Sequence, residues 1–516
     1  MTDWQDGYYS HVTYPVEFHR QATPIWLTTA TLLAGHRPKR LDEPFRWCDL
    51  GCGQGFTGLG VAACHPQAEI YGFDFNASHI ENATRMASAA GLSNAHFEEV
   101  DFETLANSPV GAWPKMNFII LHGVWSWVSP TQRAHLLRFI ESHLTPGGIV
   151  YNAYNGLSGW AALLPVQKLL RHIVEQGGTS GAEPVTRGVA MLREMIDRKA
   201  AFFIDNPVVA RRLNFLSEQD LHYVCHELLH ANWEPSSFDM VASDMASARL
   251  GFIGSATLLE NFDEFSVPSG MVPMLGAEPD PLRREILRDF GAARMFRRDL
   301  YRRGTEKPPE AEWLELFDEV SLLDLGLPDD GTMKIRTWGE EGLALMPEIY
   351  GPIRQGLRAG LLSIGELRTV FPDPAILRQI LAVLTATGIA HPVPFPVPTS
   401  EQIERTHALN LVVGQHNARG GKLNFLLAPR LGTAVVVDEG ELSLLSAFAH
   451  EAQSHVYGSG AVTAVARNFA ESGRTLYNSG QPVTDPDQAR AGWSEFVQGF
   501  AQRRLPLFER IGALAA

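Results

Sequence analysis

The 516-residue sequence is poor in the features that would make it a secreted, membrane or nucleic-acid-binding chain. It has only four cysteines, Cys48, Cys52, Cys64 and Cys225, with no paired C-x-x-C, so neither a disulfide framework nor a zinc ribbon is encoded and a reducing cytoplasm is expected. Long hydrophobic runs are missing. Stretches such as "ILAVLTATGIA" fall well short of a membrane span, and residues 1–18 carry early aspartates with no apolar core of signal-peptide length. Basic excess is missing too: 43 Lys and Arg against 58 Asp and Glu give a net charge of −15, which argues against general phosphate-backbone binding. There is no internal repeat or polar tract.

What is present is an ordinary globular composition, 45% hydrophobic and 20% charged, long enough for three or four domains. From residue 41 to about 160 apolar segments alternate with amphipathic ones. "FRWCDL", "EIYGFDF", "NAHFEEVD", "MNFIILHG" and "GIVYNAY" read as strands, separated by helices such as "ASHIENATRMASAAG" and "TQRAHLLRFIESHL". That alternation predicts an α/β, doubly wound Rossmann-like sheet. Residues 1–40 read as an aromatic lead-in that could fold over a site as a lid. Residues 161–305 read as a mainly helical domain, including "PLRREILRDFGAARMFRRDLYRRG" taken whole as a helix. Residues 306–395 read as a winged-helix-like segment and 396–516 as an α+β domain, the remainder from 306 being separable.

The first strand runs straight into "DLGCGQGFTG", where Gly51, Gly53 and Gly55 let the backbone turn sharply and approach a ligand at the start of the next helix. Gly53 to Gly58 also fits a dinucleotide fingerprint, and Asp74, ending the second strand, could hold a ribose in either case. Asp49 two residues ahead of Gly51, Asp101 in "EEVDFE" and the turn "LTPGGIVY" together resemble class I S-adenosylmethionine-dependent methyltransferases. "HVTYP", "LHGVWSWV", "YNAYNG" and "YVCHELLHANWEPSSF" narrow the resemblance, over roughly residues 1–305, to bacterial methyltransferases with a methyltransferase regulatory domain, some of which methylate protein lysines. It departs at "HRQATP" and at the insertion "EQGGTSGAEPVTRG".

The resemblance implies S-adenosyl-L-methionine as co-substrate, no metal, and a methyl acceptor that could be a protein amine, with self-association left open. It assigns Asp49, Gly51, Cys52, Gly53 and Gly55 to the methionine and ribose side, Asp74 and Phe75 to the ribose, Asp101 and Phe102 to the adenine, and His122 and Gly123 to the neighbourhood of the methyl. Trp125, Trp127 and Tyr151 are expected to line an acceptor cleft, because ring faces hold cationic amines. His122, Tyr154 and Tyr14 are candidate catalytic residues, with Tyr8 and Tyr9 near the lid. A Rossmann scaffold that binds without catalysis is the alternative. "HELLH" raises another, a zinc protease through His226, Glu227 and His230, with His222 on the same helical face. The family has a similar Tyr-x-x-His-Glu helix there, which gives that match a structural reason.

Overall fold

The computed structural model describes residues 17–514 except 110, 177–181, 218–228, 327–333, 338–339, 345, 419–420, 422, 439, 443, 446–461, 464–465, 468–476, 479–480 and 484. Its centre is a seven-stranded sheet in the order β3-β2-β1-β4-β5-β7-β6. The strands are β1 (Phe45–Leu50), β2 (Ala68–Asp74), β3 (Ala95–Glu99), β4 (Met116–His122), β5 (Leu144–Asn155), β6 (Gly251–Ser255) and β7 (Phe296–Arg302). The first five are parallel, and β7 runs antiparallel between β5 and β6. Helices α1 (Pro24–Leu33), α2 (Phe56–Cys64), α3 (Ala77–Ala89), α4 (Phe102–Ala106) and α5 (Pro130–His143) cover its faces. β1 and β4 are largely apolar and nearly all buried because a central parallel strand is covered on both sides.

The strand order reverses between β1 and β4, which leaves a crevice beyond their carboxyl ends. Chain entering from β5 does not return to the sheet until residue 251; helices such as Leu164–Gln176, Ala182–Asp197 and Phe238–Ser247 occupy the interval.

Two expectations are corrected. The segment 281–304 is not one helix: Pro281–Ala292 ends at Ala293, whose φ of 43° is left-handed, and Phe296–Arg302 then becomes β7. The region 161–305 therefore contributes two strands to the same sheet. β7 looked like a charged helix face because it buries Arg297 and Asp299, and it can do so because they are paired. Arg297 donates to Asp299 Oδ1 (2.9 Å), Glu285 Oε2 (3.0 Å) and Asp289, while Tyr154 Oη donates to Asp299 Oδ2 (2.7 Å).

The lead-in contributes helix α1 to the core, while Tyr8, Tyr9 and Tyr14, the residues read as a lid, lie outside the described residues. All ten residues of α1 are buried, as a helix apolar on every side must be, and Trp26 Nε1 donates to Ala256 O (2.6 Å).

Second, residues from 306 onward share the core of the sheet and are not separable. The helices Ile364–Val370 and Pro374–Thr387 and the strand Ala390–Pro392 form as the sequence indicates, as does the hairpin Phe425–Ala428 with Thr433–Val436. Their core is continuous with that of the sheet: Leu59, Ile70, Leu381, Leu409 and Leu427 belong to one buried cluster. His65 Nε2 lies 2.9 Å from Gly432 O, and Gln402 Nε2 donates to Cys64 O (3.1 Å), tying the end of α2 to this part of the chain.

Candidate functional site

The site begins with backbone geometry. Gly51 and Gly53 have φ of 84° and 53°, conformations that favour glycine. A Cβ at Gly51 would stand 2.6 Å from Val124 Cγ2, whereas at Gly53 nothing lies within 4 Å, so the turn there faces open space. The loop is held by Asp74, whose carboxylate accepts from Gly53 N and Asn76 N, both at 2.9 Å. Asp101 caps α4 by accepting from Thr104 N (2.7 Å). Phe102 then lies against the Gly51 turn.

These groups surround a cavity of about 210 Å³ at the carboxyl ends of β1, β2 and β4. Asp49, Gly51, Cys52, Gly53, Gly55, Asp74, Phe75, Asp101, Phe102, His122, Gly123 and Trp127 all line it. Its charge is one-sided. Glu17, Asp49, Asp74 and Asp101 are in the wall, and no Lys or Arg is among the described lining residues. Asp49 is 6% exposed, and its Oδ1 has no hydrogen-bond partner among the described residues. Burial, with Asp74 nearby, pushes its carboxyl up to about 8. An orphaned buried carboxyl in an acid-lined cavity suits a positively charged ligand.

At the other end two imidazoles stack, His19 on His122, with ring centroids 3.5 Å apart. Burial, reinforced by Arg298, pushes His19 down to about 4. Burial, then His19 and Arg298, pushes His122 well below the usual histidine range, so both rings are neutral. His122 Nδ1 is 3.0 Å from Tyr151 Oη.

Three expected site residues do not reach the cavity. Tyr151 is fully buried behind His122, and Trp125 is fully buried in the core beside Leu136 and Phe139. Tyr154 is also buried, bonded to Asp299; three positions from Tyr151, it sits on the opposite face of β5. Tyr8, Tyr9, Tyr14, His222, His226 and Glu227 lie outside the described residues, and His230 is buried. Among the described residues no group of three potential ligands could hold a metal ion.

Lining residues that the sequence did not single out include Glu17, His19, Gln54, Thr57, His79 and Gln132. Gln54 and Thr57 lie within the glycine motif and could have been found from it. No local pattern marks His19, whose partner is in β4. It is placed by its backbone N–H, which donates to Thr57 Oγ1 (3.0 Å), and by Phe18. The Phe18 ring sits 4.9 Å from that of Phe425 and so close to Gly60 that a Cβ there would come within 2.5 Å of it.

The sheet order and the glycine loop define a Rossmann-like methyltransferase fold. Residues 41–183 match the family described as a methyltransferase domain, and residues 220–303 match the predicted methyltransferase regulatory domain. The chain is 30% identical to the uncharacterized protein sll1526 of Synechocystis over 99% of both chains, and to protein RP028 of Rickettsia prowazekii over 33% of this chain and 67% of that one. Its fold matches PKMT2 from Rickettsia typhi in complex with AdoHcy, with a TM-score of 0.69, 18% identity, and coverage of 97% of this chain and 99% of that one. The chain belongs to the S-adenosylmethionine-dependent methyltransferases that carry a methyltransferase regulatory domain. Among the described residues no helix is long and apolar enough to cross a membrane.

Proposed function

We propose that the methyl acceptor is an amine, the side chain of a protein lysine, and that the acid-lined cavity holds the co-substrate beside it. The observation that carries this reading is the carboxylate wall ending in two neutral imidazoles and Trp127. S-adenosylmethionine, when bound, supplies a sulfonium-activated methyl group. Asp74 would hold ribose hydroxyls, Asp101 and Phe102 the adenine, and the turn at Gly51 to Gly55 would let the main chain approach the methionyl part.

Asp49, on losing its proton, would add a buried counter-charge to those of Glu17, Asp74 and Asp101. Trp127 and Glu17 line the cavity, and an aromatic ring and a carboxylate are groups that would hold a cationic amine. The neutral His19 and His122 avoid placing a second positive charge beside an already cationic centre, and their stacked rings exclude water from it. Catalysis in such a site is positioning and desolvation, with little acid-base machinery. The fold shared with PKMT2 of Rickettsia typhi, a protein-lysine methyltransferase, supports the same reading.

Two measurements test it. Calorimetric titration with S-adenosylhomocysteine should show binding that Asp74→Ala removes. Incubation with methyl-labelled S-adenosylmethionine and lysine-containing peptides, followed by hydrolysis, should leave the label in methyllysine. Label released by mild alkali, as from a carboxyl ester, would reject the amine acceptor while retaining the methyltransferase.

A further inference from the structure

The hydroxyl of Tyr151 is fully buried, so its single proton needs an acceptor inside the protein. Two groups meet its oxygen. Arg298, on β7, stands near enough to act on it and can only donate. His122 Nδ1, at 3.0 Å, is the other. The guanidinium offers no acceptor, so the hydroxyl proton is directed at Nδ1, which must then be the unprotonated nitrogen of a neutral imidazole.

We propose that His122 meets the cavity as a fixed hydrogen-bond donor through Nε2–H, its tautomer set by Tyr151 and Arg298 acting as positioning residues. His122 is then no base: its one basic nitrogen is spent on Tyr151, and it cannot take the acceptor's proton. A donor fixed there takes a lone-pair-bearing oxygen, and on the lysine reading above that is a carbonyl of the acceptor peptide. The identity of that oxygen rests on the proposed acceptor, whereas the tautomer does not.

The surroundings agree. The ring is confined by His19 stacked on one side, by Phe296 tilted at 6.0 Å, and by Tyr151 parallel to it at 5.8 Å, so it cannot flip without breaking the stack. Arg298 is itself steadied over the Phe296 ring, 4.7 Å from its centroid, and by Thr257 Oγ1. The charged and titratable groups facing His122 and Tyr151 are His19, Arg298 and Asp49, so the guanidinium is the one permanent cation among them. A cation there disfavours an imidazolium at both stacked rings.

The test uses the full-length protein without ligand, labelled with ¹⁵N-histidine, with His122→Gln identifying the resonance. Long-range proton–nitrogen spectra at neutral pH should show Nδ1 unprotonated and Nε2 protonated. Tyr151→Phe and Arg298→Met should each give a mixture of tautomers, and Arg298→Lys, which still donates, should restore the single form. Nε2 found unprotonated in the wild type would overturn the proposal, as would variants whose tautomer is unchanged. S-adenosylhomocysteine titration of the same samples separates the two readings: no binding with the expected tautomer would count against the co-substrate site alone.

Discussion

Asp49→Asn should stabilise the ligand-free protein, and increasingly so as the pH rises. In the folded chain the carboxyl keeps its proton up to about pH 8, whereas its ordinary value is 3.8. Between those limits the native state binds more protons than the unfolded chain, so stability falls with pH by up to about 1.4 kcal/mol per unit from this group alone. The penalty is absent below pH 3.8, grows through the window and levels off above about pH 8 at on the order of 5 kcal/mol. Asparagine has nearly the same shape and no charge to desolvate. Urea unfolding at several pH values from 5 to 9 should therefore show the variant gaining on the wild type by about 4 kcal/mol between pH 5 and 8. Binding of a cationic ligand should release a proton near neutral pH from the wild type and none from the variant. Parallel stability curves would refute the argument, because they would mean that Asp49 is solvated or paired in the folded protein.

Tyr154→Phe should cost about 1–2 kcal/mol of stability, the loss of one hydrogen bond to a buried carboxylate, and leave S-adenosylhomocysteine affinity within about twofold when both are measured on one preparation. Arg297→Met should be far more damaging, by about 3–5 kcal/mol at neutral pH in urea unfolding, because Asp299, Asp289 and Glu285 would be left buried without their cation. That loss should shrink at acid pH as the carboxyls protonate. Phe18→Ala, removing a partly buried ring from between α2 and the Phe425–Ala428 strand, should cost about 2 kcal/mol and speed proteolytic cleavage near that hairpin, with Gly60→Ala acting in the same direction.

The parts of the site that could be read in the sequence are those whose chemistry is local. Gly51, Gly53 and Gly55 follow directly on a buried strand, Asp74 ends the next and Asp101 stands two residues beyond the third, so spacing together with the family resemblance placed them round one crevice. The aromatic lining was legible only in part. Trp127 reaches the cavity, but Tyr151 and Tyr154 had to face opposite ways on one strand, a parity that the sequence already carried. β7 was hidden because its buried face is Arg297, Asp299 and Tyr301, which reads as solvent-facing until the partners on Pro281–Ala292 and β5 are known. His19 was invisible for a related reason: what makes it a site residue is a ring about 100 residues away.

The Phe18 wedge also bears on when the enzyme becomes an enzyme. Phe18, which precedes His19, is synthesised before its ring partner Phe425, which follows about 400 residues later. At about 5–20 residues per second, that interval is about 20–80 s. During it the glycine loop exists without the hairpin that anchors one wall of its cavity. Closing that wall is thus a late event in forming the cavity, set by how far apart its parts lie along the chain.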